Sequence, residues 1–285
     1  MTRMALLSTP WPLFNRPSIQ LGALKAFVER EIPTVTVHAH HLYLTVAEAL
    51  GYALYRPISE KTWLSESCYA ALLYPERAER ISRLWKRESA GLSRKWVFGD
   101  ICSALKDISD RILAAIDWEG YFLVGISICL GQLTSALYFA REIKRRAPDS
   151  KILVGGSACS GEMGRSLLRA FAEIDFVISG EGERPLLQLV RNLQGGTAPE
   201  PDPFPGLMGR HQESWGRPEV FSQVAHLDEL PMADYGDYFR HLNAMEPDRR
   251  FFPTRPMEMS RGCWWRKTLS HGMFRGCAFC NLNIQ

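Results

Sequence analysis

The feature that most constrains this chain is an alternation of two kinds of segment. Short runs of β-branched, aliphatic and aromatic residues take turns with longer runs of helical periodicity. Arg3–Ser8, Thr34–Ala39, Tyr121–Ser127, Lys151–Gly156 and Asp175–Gly180 read as strands. Ser18–Arg30 reads as a helix with Leu21, Leu24, Phe27 and Val28 on one face, and Leu42–Tyr55 as another. Further helices follow the last three strands, one ending near Arg146, the others over Gly161–Ala172 and Glu183–Leu193. Strands that alternate with helices build a parallel sheet covered on both faces. The expected fold is therefore α/β: a five-stranded, parallel, doubly wound sheet of flavodoxin-like type over residues 1–195.

One stretch breaks the pattern. Residues 58–116 carry helical periodicity and no convincing strand, so a helical insert is expected there. Within it Ala78, Ile81, Leu84 and Trp85 share a side opposite a row of charges, as in a solvated helix packed on the body. The Gly/Pro-rich run "QGGTAPEPDPFPG" then opens a linker, taken as residues 196–250.

Tyr121–Ala140 has about the length and apolarity of a membrane span. Its first half is as β-rich as a buried strand, and "CLGQL" breaks it before an amphipathic helix. We therefore read a strand, a turn and a helix, and expect no membrane association. A net charge of +3 on 285 residues, with both signs mixed, gives no argument for nucleic acid. No secretory signal opens the sequence. Four of the seven cysteines (Cys68, Cys102, Cys129 and Cys159) stand singly among apolar or small residues, which suits a reducing cytoplasm.

Ligands of doubly wound sheets bind beyond the carboxyl ends of the strands. That rule selects the loops Thr9–Pro17, His38–His41, Ser127–Thr134, Gly155–Gly161 and Ser179–Arg184. In "GGSACSG", Gly155 and Gly156, followed by Ser157, let the backbone come close to a large flat or anionic ligand. In "SGEGERP", Gly180 and Gly182 allow a tight turn beside Glu181, and Glu183 stands at a helix start. Ser127, Gln132 and Thr134 offer hydrogen bonds after the third strand. None of these loops is a phosphate loop or a dinucleotide fingerprint.

The remaining cysteines gather at the end: Cys263, Cys277 and Cys280, spaced C-x13-C-x2-C. A C-x2-C pair points two thiolates at one centre. Three thiolates suit an iron–sulfur cluster with one open iron, whereas a structural zinc would want a fourth ligand, which His271 could supply. Both remain open on spacing alone.

Lys151–Leu193 resembles the closing half of a cobalamin-binding domain of the kind that precedes radical S-adenosylmethionine (SAM) barrels. "LDELPMADYGDYF" resembles the segment between the two. "EMSRGCWW…CAFCNLN" is similar to the opening of the barrel in the subgroup that matures ribosomally made peptides. The likeness is good from Tyr121 onward, loose over Met4–Ala39 and slight in the insert.

In that family the "GG" and "GEGE" loops border the nucleotide tail of cobalamin. The resemblance thus implies cofactor contacts at Ser127, Gln132, Thr134, Gly155, Gly156, Ser157, Gly180, Glu181, Gly182 and Glu183. It implies a [4Fe–4S] cluster on Cys263, Cys277 and Cys280, with SAM on the open iron. The first loop lacks the D-x-H-x-x-G that supplies a histidine to cobalt. This implies cobalamin without a protein histidine ligand, with Trp11 and its neighbouring prolines covering the lower face. His38, His40 and His41 follow the second strand and read as loop or surface histidines.

The implied function is C-methylation, or a related radical modification, of a precursor peptide, with an electron donor such as flavodoxin or ferredoxin. A whole barrel takes on the order of 200 residues. Only its start fits into 251–285, so we expect a fragment or a truncated gene, and whether this chain alone is an enzyme stays open. "RKTLSHGMFRG" must loop out for the three sulfurs to meet. The alternatives are a stand-alone cobalamin carrier or sensor with a zinc-binding or vestigial cysteine tail, and a flavin-binding domain.

Overall fold

The apolar runs pair into one sheet whose two faces are both buried. The structure, a computed structural model, describes residues 2–92, 96–196, 204–210 and 222–261, with the backbone of 267–268 and 274–275. The strands are β1 (Thr2–Ser8), β2 (Val35–His41), β3 (Tyr121–Ser127), β4 (Lys151–Gly155), β5 (Phe176–Ile178) and β6 (Leu207–Gly209). Their order is β2-β1-β3-β4-β5-β6. The first five are parallel, and β6 runs antiparallel to β5.

The sixth strand corrects the five-stranded expectation. "GLMGR" is too short to declare itself as a strand, and it pairs only because Gly206 turns the chain at φ +83° with its carbonyl accepting the Ser179 N–H at 2.8 Å. It covers what would otherwise be an open edge at β5.

Residues two apart on a strand share a face. Met4, Leu6, Leu123 and Leu153 point to one side and Ala5, Leu7, Val124, Ile126 and Val154 to the other. On the first side α1 (Ile19–Glu31) and α9 (Glu183–Gln194) bury Leu21, Val28, Leu186 and Val190. The second side carries α7 (Leu133–Arg146), α8 (Glu162–Ala170) and the helical insert.

Between β2 and β3 lie α2 (Leu42–Leu50), α3 (Tyr52–Ser59), α4 (Thr62–Leu73), α5 (Ala78–Glu88) and α6 (Phe98–Ala115), of which α4, α5 and α6 make up the insert expected over residues 58–116. The single helix expected over Leu42–Tyr55 is two, broken at Gly51, whose φ of +82° no helix tolerates. Cys68 and Cys159 are buried in this core, and burial pushes the Cys159 thiol up to about 12. Tyr121–Ala140 is strand, turn and helix as read. Among the described residues no helix is long and apolar enough to cross a membrane.

Much of the stretch taken as linker is built into this body. Besides β6 it holds α10 (Gly236–Ala244), which buries Tyr238 and Leu242 and lies along the edge strand β2. Asp237 accepts the Ala39 N–H at 3.1 Å and receives the Lys25 ammonium at 2.6 Å. Asp234 donates its backbone N–H to Gly22 O, and Tyr235 packs so closely on Gly22 that a Cβ there would stand 2.9 Å from its ring. Lastly, β7 (Lys267–Thr268) pairs antiparallel with β8 (Phe274–Arg275), so part of the stretch expected to loop out is a two-stranded ribbon.

Candidate functional site

The reversal of strand order falls between β1 and β3, and a cleft opens there on the α1/α9 side. Its volume is about 240 Å³. The floor is Leu6, Gly125, Leu153 and Ile178 from four neighbouring strands, and Leu24 and Leu186 wall it from the two helices. The rim is made by the loops after β3, β4 and β5, joined by Glu258 and Arg261 from the segment that follows α10.

Glycines create this space. A Cβ at Gly125 would stand 2.8 Å from Leu6 Cδ2, and one at Gly182 would stand 3.1 Å from Leu24 Cδ2. Gly156 turns at φ +104° with the Ile128 carbonyl oxygen 2.6 Å from where a Cβ would be. Any side chain at these points would fill the cleft or reshape its rim. The outcome is an apolar slot, open at one end, with backbone amides and carboxylates at the opening. Such a slot fits a flat apolar group whose polar attachment stays at the mouth.

Of the residues expected to touch a cofactor, Ser127, Gly155, Gly156, Gly180, Glu181, Gly182 and Glu183 line this cleft together. The other four do not. Ser157 opens a 3-10 turn beside it, over Ser157–Cys159. Gln132 is buried and braces the loops after β1 and β3: its Nε2 donates to Thr9 O at 2.6 Å and its Oε1 accepts the Cys129 N–H at 3.1 Å. Thr134 lies at the start of α7, its N–H on Glu66 Oε2 at 2.8 Å and its hydroxyl on Glu66 O at 2.9 Å.

Trp11 corrects the packing expected of it. Only 3% of it is exposed, its indole N–H donates to Ser65 O, and its ring sits 5.1 Å from that of Tyr55 in the core of the opposite face. It has no surface left to cover a ligand.

Sequence reasoning missed Leu6, Gly125, Leu24, Glu258 and Arg261 as cleft residues. For Gly125 the signal was there, since a glycine in mid-strand marks a close approach. Arg261 gave none, because two of its three carboxylate partners, Glu181 and Glu183, are remote in the chain. It contacts Glu183 Oε1 at 2.5 Å, Glu258 Oε1 at 2.9 Å and Glu181 Oε2 at 3.1 Å. Burial opposes the charge, but hydrogen bonds to Glu258 and Glu183 outweigh it and raise the Arg261 pKa above its ordinary value. Glu183, 5% exposed in its side chain, has that guanidinium as its ion-pair partner.

A second hollow, of about 800 Å³, lies beyond the end of β2 and is lined by His38, His40, His41, His241 and Asp237. The histidines are not loop residues: all three of the β2 series belong to the strand, where His38 and His40 stay partly exposed and α10 packing across it leaves His41 4% exposed. Burial pushes both His40 and His41 down to about 4. Among the described residues no group of three His, Cys, Asp or Glu side chains is arranged to hold a metal ion. Cys263, Cys277, Cys280 and His271 lie outside the described residues. The smaller cleft, at the switch in strand order and opened by glycines, is the candidate ligand site.

Residues 98–190, a third of the chain, match the family model of the B12 binding domain. That stretch contributes Ser127, the Gly155–Gly156 pair and the Gly180–Glu183 loop to the cleft. No curated protein matches the chain.

Proposed function

We propose that this B12-binding domain takes the nucleotide tail of cobalamin into the α1/α9 cleft and serves a radical SAM enzyme that modifies a ribosomally made peptide, most simply by C-methylation. The observation that carries the cofactor reading is the glycine-opened apolar cleft at the ends of β1, β3, β4 and β5, inside and beside the stretch that matches the family. Leu6, Gly125, Leu24 and Leu186 would hold the flat base. The turns at Gly156 and Gly180 would bring backbone to the rest of the tail. Bound cobalamin supplies a methyl group on cobalt for transfer. The domain's own part is to fix where that group stands and to keep water from the buried tail.

The loop after β1 has no histidine to offer a cobalt ion, and with Trp11 in the core the backbone of the strand-end loops would border the corrin. The radical SAM part of the reading rests on "CWW…CAFC". The β7–β8 ribbon supports it, because Lys267–Thr268 and Phe274–Arg275 pair within the long gap of the sequence between Cys263 and Cys277. Three thiolates would hold three irons and leave the fourth for SAM. A precursor peptide and a flavodoxin or ferredoxin reductant complete the expected partners, in a reducing cytoplasm.

Anaerobic purification and reconstitution with hydroxocobalamin, iron and sulfide test this. Bound corrinoid with its base displaced from cobalt and no imidazole coordination, together with a brown iron–sulfur chromophore, is the expected result. Corrinoid with zinc or no metal would make the chain a carrier or sensor instead. Binding of flavin and no corrinoid would overturn the cofactor reading.

A further inference from the structure

The floor and sides of the cleft are apolar throughout. Leu6, Gly125 and Leu153 stand in one row across β1, β3 and β4, and Ile178 of β5 continues it. Each of these strands has a neighbour on both sides, so the backbone beneath is spent on the sheet. Leu24 and Leu186 close the sides.

The polar side chains stand at the opening and are held by other protein groups. Arg261 is enclosed by Glu181, Glu183 and Glu258. Glu181 Oε2 also accepts the Val224 N–H at 2.6 Å. Gln20 receives the Ser18 hydroxyl on its Oε1 at 3.0 Å. Ser127, at the end of β3, has a single hydroxyl to offer. A flat ring that enters this slot with several hydrogen-bonding atoms loses water at each and regains little. Every donor or acceptor left unpaired costs its desolvation. A ring with one such atom or none keeps the whole gain of apolar contact.

We propose that the cleft selects among cobamides by the polarity of the tail base: it takes a benzimidazole or a phenolic ring and discriminates against a purine. The inference rests on the cofactor reading above and deepens it, by naming the class of tail that the cleft accepts. A benzimidazole has one ring nitrogen free once it has left cobalt, and a p-cresolyl tail has none. Adenine adds two further ring nitrogens and an exocyclic amine. Both bicyclic bases are flat and similar in size, so hydrogen bonding and not shape separates them. An apolar pocket rejects a near-isostere with an added polar group by roughly a hundredfold at most, which bounds the effect.

The test is equilibrium titration of the whole chain with cobalamin, its adeninyl and p-cresolyl counterparts, and cobinamide, which has no tail base. The adeninyl form is expected to bind about ten- to a hundredfold more weakly than cobalamin, and the p-cresolyl form at least as tightly as cobalamin. Coordination to cobalt cannot produce this order, because adenine is the weaker base and leaves the metal more readily. In Gly125→Ala, where Leu6 is pushed into the slot, the gap between adenine and benzimidazole should shrink to less than about threefold, with thermal melts as the check on folding. The wild-type order needs no variant.

Equal affinities for the adenine and benzimidazole forms, both tighter than cobinamide, overturn the inference and leave the cofactor reading standing. So does a gap that survives undiminished in Gly125→Ala. If no corrinoid binds, or if the tail adds nothing over cobinamide, the cofactor reading falls and the inference with it.

Discussion

Lys25 and Asp237 are 212 positions apart and meet at 2.6 Å, with the Lys25 side chain 8% and the Asp237 side chain 15% exposed. The pair fastens α10 to α1, and the second oxygen contact, from Ala39 N–H, fastens it to β2 as well. Removing Asp237 leaves the buried Lys25 with the more exposed Asp234, 3.2 Å away, as its remaining partner, and strips the Ala39 N–H of its acceptor. Asp237→Ala is expected to lower unfolding free energy by about 2 kcal/mol in urea titrations. Replacing both residues by apolar ones of similar size should cost much less. If the single and double variants lose the same amount, α10 is held by its apolar face and the ion pair is incidental.

His41 sits between the rings of Tyr43 and Tyr238, at 5.6 and 5.3 Å, and neither ring nitrogen has a hydrogen-bond partner. Desolvation takes its pKa from 6.5 down to about 4, while Asp237 and the nearby Ala39 backbone pull the other way and His241 and His40 add to the lowering. Between those values the unfolded chain holds a proton that the folded chain refuses, so stability rises with pH. The contribution is complete above about pH 6.5 and is lost as the pH falls toward 4, for a total of about 3 kcal/mol from His41. His40, pushed down to about 4 as well, adds in the same direction. Urea midpoints at pH 7.5 and 5 should differ accordingly, and His41→Leu should flatten the difference. An unchanged pH profile in that variant would remove His41 as its source.

How far the sequence led depends on how far apart the interacting residues are. The parallel sheet was legible because each strand announces itself locally, as "YFLVGIS" and "KILVGG" do, and the rule about strand ends then pointed to Gly156 and Glu183 without further information. The edge at β6 was not legible, since three residues carry too little pattern and their pairing depends on a turn at Gly206. Trp11 misled because prolines around an aromatic residue suggest an exposed loop. The helices that bury it, α3 and α4, come much later in the chain, and no local pattern says which face they will cover. Arg261 and Asp237 were hidden for the same reason: each is an ordinary surface-type residue until a distant element packs on it.

Glu66 caps α7 from another helix. Its two oxygens accept the N–H groups of Leu133 at 3.0 Å and Thr134 at 2.8 Å, two of the donors a helix start leaves unpaired. A carboxylate there also faces the positive end of the helix dipole. Glu66→Ala should cost about 1 kcal/mol or somewhat more in thermal unfolding, and Glu66→Gln roughly half of that. A glutamine variant as unstable as alanine would show that packing, and not capping, is what Glu66 contributes.

Gly125 and Gly156 should separate binding from folding. At Gly125 the atom in the way of a new Cβ is Leu6 Cδ2, the far end of a side chain that already borders open space. Gly125→Ala should therefore fold with a small loss, as Leu6 swings into the cleft and occupies it. At Gly156 the obstacle is the Ile128 backbone, and φ is +104°, so Gly156→Ala is strained whatever the space and should cost on the order of 1–3 kcal/mol. Titration with cobalamin should show roughly tenfold weaker binding for Gly125→Ala with a nearly unchanged melting temperature, since a slot that is half filled loses most of its apolar contact with the ligand. Gly156→Ala should lose both stability and binding. Full cobalamin affinity in Gly125→Ala would mean that the ligand does not enter the cleft, and the tail would have to be sought elsewhere on the strand-end surface.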